Sequence, residues 1–131
     1  GVAHGADLML QLSLNPALLR PQADAMLQAI ASQVLPVGAH AWTHGEPARL
    51  AAPVFQLARR GLLAAEDWQR WFDGLTRRPT GDTQMTPAAL ARRHNLQAFL
   101  TVLYTTVQES AVPEPKALLL PALRQALRAP D

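Results

Sequence analysis

"LQAFLTVLYTTV", residues 96–107, decides the fold class. Leu96, Phe99, Leu100, Leu103 and Val107 recur at intervals of three and four, so an α-helix would place them on one buried face. Upstream, Thr86-Pro87 supplies a side-chain oxygen for an N-cap and a proline suited to a first helical turn. A helix buried along one face needs partners, and the rest of the chain repeats the same period. No stretch shows the strict apolar–polar alternation of a half-buried strand.

Working outward, Leu8, Met9 and Leu12 form the apolar face of a first helix. Asn15-Pro16 ends it, because the residue before a proline is pushed out of the α region. A second helix starts at Pro21, runs through Met26, Leu27, Ile30 and Val34, and stops at Pro36 and Gly38. Residues 37–45, with His40, Trp42 and His44, read as a loop. The third helix opens near Gly45-Glu46-Pro47, carries Leu50, Val54 and Leu57, and closes on Gly61 as a C-terminal cap. Pro53 inside it should bend it or cost a hydrogen bond. The fourth holds Trp68, Trp71, Phe72 and Leu75, followed by a polar loop at 78–82. This aromatic stripe reads as core; the alternative is a peptide-binding platform, with Trp71 beside the face shared by Trp68 and Phe72. After Pro113 a last helix spans Leu118 to Leu127, bent or split by Pro121.

The order is that of three helical hairpins. Their first helices open near residues 4, 45 and 94, a spacing of about 40 to 50 residues that suits armadillo- and HEAT-type repeats. His4-Gly5, His44-Gly45 and His94-Asn95 echo one another at these openings. The expected fold is all-α: paired antiparallel helices in a HEAT/armadillo-like right-handed superhelix or a helical bundle.

Composition sets the outer limits. A chain of 131 residues is one domain with room for its own core. Cysteine is absent, which rules out disulfides and thiolate metal sites and suits a reducing, cytoplasmic setting. No apolar run approaches the ~20 residues of a membrane span, and nothing reads as a signal peptide. A net charge of +2 is too small to argue for nucleic acid. Lys116 is the only lysine; the preference for arginine and alanine suits a GC-rich bacterial genome. The chain starts at Gly1, inside an apparent motif, which suggests a fragment, a processed product or a tag scar.

Two stretches, "VAHGADLMLQL" at 2–12 and "LARRHNLQAFLTVLY" at 90–104, resemble signature segments of the bacterial family known as domain of unknown function 2785. "RLAAPVFQLARRGLL" at 49–63 resembles its middle segment. The resemblance covers residues 2 to about 109 and implies a helical architecture. It also implies that this chain is the C-terminal half of a longer helical protein. The family's middle motif carries an acidic pair or triplet before Arg-Leu-Ala, where this chain keeps only Glu46. The resemblance carries no activity over to this chain.

The conspicuous polar residues are His4, Asp7, His44, Glu46, Arg49, Arg92, Arg93, His94 and Asn95. In a stack of first helices they would gather on one rim of helix openings. A structural role suffices for them: a carboxylate in a first turn suits the helix dipole, and arginine forks onto carboxylates of neighbouring helices. Asp7 with Arg93 or the His94-Asn95 turn, and Glu46 with Arg49 or Arg92, would be such ties, with Gly5 leaving room for a close backbone. A metal-dependent or hydrolytic enzyme using His4, Asp7, His44 and His94 is the alternative. It lacks any His-x-x-x-His pair, nucleophile motif or phosphate loop, and no cofactor or metal is assigned. A third role is binding, with the arginines accepting an anionic ligand or a protein, as helical-repeat faces commonly do. Nucleic acid is disfavoured, since stacking aromatics are few and the charge is not striped. The paired arginines 59–60 and 77–78 read as solvated cations at helix ends. Leu8, Leu10 or Leu12 would be left uncovered if helices are missing upstream, and such a surface would favour a homo-oligomer.

Overall fold

The computed structural model describes residues 2–35, 46–77 and 86–128, with side chains described from Gly5 onward. Those residues form six α-helices: α1 (Val2–Ser13), α2 (Arg20–Val34), α3 (Glu46–Arg60), α4 (Ala65–Thr76), α5 (Pro87–Glu109) and α6 (Pro113–Arg128). No strand occurs among the described residues. The fold is all-α. The expected loops at 37–45 and 78–82 lie outside the described residues, apart from their flanks.

Local chemistry sets the helix ends. Thr86 Oγ1 accepts from the Ala89 N–H at 3.1 Å, the N-cap foreseen for α5, and Pro87 follows it. At the start of α4, Asp67 reaches back and its Oδ2 accepts from the Ala64 N–H at 2.8 Å. Gln22 does the same for the Leu19 N–H at the start of α2, at 2.9 Å. Gly61 ends α3 with a φ of 68°, a left-handed conformation that costs a side-chain-bearing residue about 1–2 kcal/mol.

The last helix departs from expectation. It begins at Pro113 rather than Leu118, and Pro121 does not split it. Pro113 and Pro115 occupy a first turn, where a missing N–H costs nothing. Pro121 is exposed, so water can take the carbonyl it leaves unbonded. Pro53 likewise sits within an unbroken α3.

Packing follows rows rather than hairpins. α3 lies between α1 and α5 and makes its most extensive contacts with those two. α4 packs on α6, and α6 also covers α5 and part of α3. α2 touches α1, α3, α4 and α5 more lightly. Successive helices pack extensively only in the α5–α6 pair. One continuous core draws on all six helices, with Ile30, Leu50, Leu57, Trp68, Phe72, Phe99, Leu103, Leu119 and Leu123 fully buried. Of the stretch that decides the fold class, Phe99, Leu100, Leu103 and Val107 are buried and Leu96 is half-buried.

The aromatic stripe of α4 is core. Trp68 and Phe72 are buried, and Trp71 is half-buried with its Nε1–H donating to the Leu27 carbonyl of α2 at 3.0 Å. The Trp71 ring also meets Phe72 and Phe99 edge-on, at centroid distances of 5.0 and 6.2 Å. The Trp68 indole Nε1 is buried without a hydrogen-bond partner among the described residues.

On α1 only Met9 of the expected apolar face packs inward, and Leu8 and Leu12 are left uncovered. Ala6 and Ser13 are the buried residues, with Met9 packed beside them, while Leu8 and Leu12 are 56% and 42% exposed. The buried Ser13 hydroxyl is satisfied by the Leu10 carbonyl at 2.6 Å. Leu10 is half-buried, and Leu14 and Leu19 beyond the helix are also exposed.

Candidate functional site

The row α1–α3–α5 carries every nominated polar residue that the structure describes. Asp7 stands in the second turn of α1 and Arg49 in the first turn of α3; their Oδ2 and Nη1 are 3.5 Å apart. Both side chains are more than half exposed. This corrects the expected tie of Asp7 to Arg93 or the His94-Asn95 turn. It also corrects the role given to Gly5, since a Cβ placed there would meet no atom within 4 Å. The reason lies in the helix order: α3 separates α1 from α5, so the nearest guanidinium to Asp7 belongs to α3.

Arg92, Arg93, His94 and Asn95 do not form a helix opening. α5 starts at Pro87, so these four sit well inside it, and their spread around the helix sets their fates. Asn95 is fully buried, Arg92 half-buried, and Arg93 and His94 face solvent. The dipole that favours charge at a helix start does not reach them. Glu46, at the first position of α3, is half-buried. Glu46, Arg92, Arg93 and Asn95 are all engaged with neighbouring groups. His44 lies outside the described residues, as does the imidazole of His4. Among the described residues no three His, Asp or Glu side chains converge as a metal centre would require.

Of the paired arginines 59–60 read as solvated cations, Arg59 is exposed, but Arg60 is half-buried and bonded within the fold, which corrects that reading. Arg60, in the last turn of α3, spreads its guanidinium over the connection between α1 and α2. Its Nη1 donates to the carbonyls of Ser13, at 3.3 Å, and Asn15, and its Nη2 to those of Pro16, at 3.3 Å, and Leu18, at 3.4 Å. The only sequence signal was a cation just before the capping Gly61.

A second group joins the starts of α2 and α4. Arg20 Nε meets Asp24 at 3.1 Å and its Nη2 meets Asp67 at 3.1 Å, with Arg70 at 3.4 Å from the same Asp67 oxygen. The Ala64 N–H and then Arg20 hold the Asp67 carboxyl below the usual aspartate range. Asp24 and Asp67 in turn raise the pKa of Arg20. On the α5–α6 side, the Tyr104 hydroxyl accepts from Gln108 Nε2 at 2.9 Å, and that bond together with the nearby Arg124 guanidinium lowers its pKa from the ordinary tyrosine value.

A shallow hollow of about 450 Å³ lies on α4, lined by Ala65, Glu66, Gln69, Arg70 and Asp73, and includes none of the nominated residues. No helix among the described residues is long and apolar enough to cross a membrane.

No curated protein and no solved structure matches the chain. A family model does: it spans residues 1–105 and so includes all three motif segments, at 2–12, 49–63 and 90–104. With well over half of its length matched, the chain belongs to the DUF2785 family, whose members are described as proteins of unknown function.

Proposed function

We propose that this chain is a single-domain helical-repeat scaffold of HEAT type that binds an anionic group, a carboxylate or phosphate, on the polar face of the α1–α3–α5 row. The observation that carries this is the exposed Asp7–Arg49 pair at 3.5 Å. An ion pair in water contributes under about 1 kcal/mol. The carboxylate holding Arg49 is therefore readily replaced by an incoming anion, with Arg93 exposed on the neighbouring helix of the row. Arginine suits the task because its fork matches the two oxygens of a carboxylate or phosphate. The side-by-side row of α1, α3 and α5 supports the repeat reading, since the first helices of stacked repeats would form such a row.

Calorimetric titration with inorganic phosphate and, separately, with an oligoglutamate peptide tests this. Arg49→Ala and Arg93→Ala should each weaken binding several-fold. Asp7→Asn should strengthen it, because it removes the internal competitor. Absence of binding by both probes, or binding indifferent to Asp7→Asn and Arg49→Ala, would overturn the proposal.

A further inference from the structure

We draw no further inference here: the strongest candidate, the leucine face of α1 at the open end of the α1–α3–α5 row, with Leu8 and Leu12 on the helix and Leu14 and Leu19 beyond it, carries nothing because nothing in the structure shows what covers it.

Discussion

Arg60 should be worth more to this fold than the solvated Asp7–Arg49 pair. The two terminal guanidinium nitrogens carry four N–H groups between them, enough for one to each of the four carbonyls. A hydrogen bond to a charged group contributes about 1.5–3 kcal/mol when well formed. Three of these contacts are long, at 3.3–3.4 Å, and Arg60 is only half-buried, so water competes for it. About 1 kcal/mol per nitrogen is then reasonable, and the Ser13 carbonyl at the C-terminus of α1 adds a few tenths through the helix dipole. Arg60→Met keeps the aliphatic stem and removes the fork, and should cost about 2–3 kcal/mol in urea denaturation followed by circular dichroism, with the slope unchanged. Arg60→Lys keeps the charge but not the planar fork, and should restore no more than about 1 kcal/mol of this. Amide exchange should accelerate most at Leu14, Asn15 and Leu18, whose N–H bonds lie in the connection that Arg60 holds. A cost below about 0.5 kcal/mol for Arg60→Met, or full rescue by lysine, would refute the reasoning.

Asp7→Asn should destabilise by less than about 1 kcal/mol, and its coupling to Arg49→Gln in a double-mutant cycle should be a few tenths, since the pair is solvated; a coupling above about 2 kcal/mol would show a buried tie instead. Trp71→Phe keeps the ring contacts but loses the bond to the Leu27 carbonyl, and should cost about 1–2 kcal/mol in the same denaturation assay; a neutral effect would remove that bond from the account. Gly74→Ala should stabilise by about 0.5–1 kcal/mol, because a Cβ at this helical position meets nothing within 4 Å; destabilisation in a thermal melt would contradict this. Because folding depresses the Asp67 carboxyl, its contribution is complete above the ordinary aspartate pKa of about 3.9, fades as the pH falls through that value, and is gone below the folded-state pKa. The stability gap between the wild type and Asp67→Asn should therefore narrow on acidification below about pH 4, and a gap that stays constant or widens would contradict the assignment.

The sequence by itself determined the helical class and most helix boundaries, because these depend on groups close together in the chain. Spacing by three and four buries Phe99, Leu100, Leu103 and Val107; Thr86 caps; Gly61 takes the left-handed turn; Asn15-Pro16 closes the first helix. Proline limited the reading of boundaries: the last helix was expected from Leu118 but starts at Pro113, because a first-turn proline costs no hydrogen bond, and Pro121 does not split it. Which face of α1 lies inward was beyond local reading. Leu8 and Leu12 have the greater affinity for a core, yet Ala6 and Ser13 are buried instead, because the face that packs depends on where the neighbouring helices lie. The polar cluster divides in the same way. Residue types named Asp7, Arg49 and Arg92 to Asn95 as candidates, but partner choice depends on which helices are neighbours. Tertiary packing put α3 between α1 and α5, and so gave Asp7 to Arg49 and left Arg93 a helix away. Arg60 shows the limit most plainly: its partners lie 42 to 47 residues earlier, and only the folded chain brings those carbonyls within reach of one guanidinium.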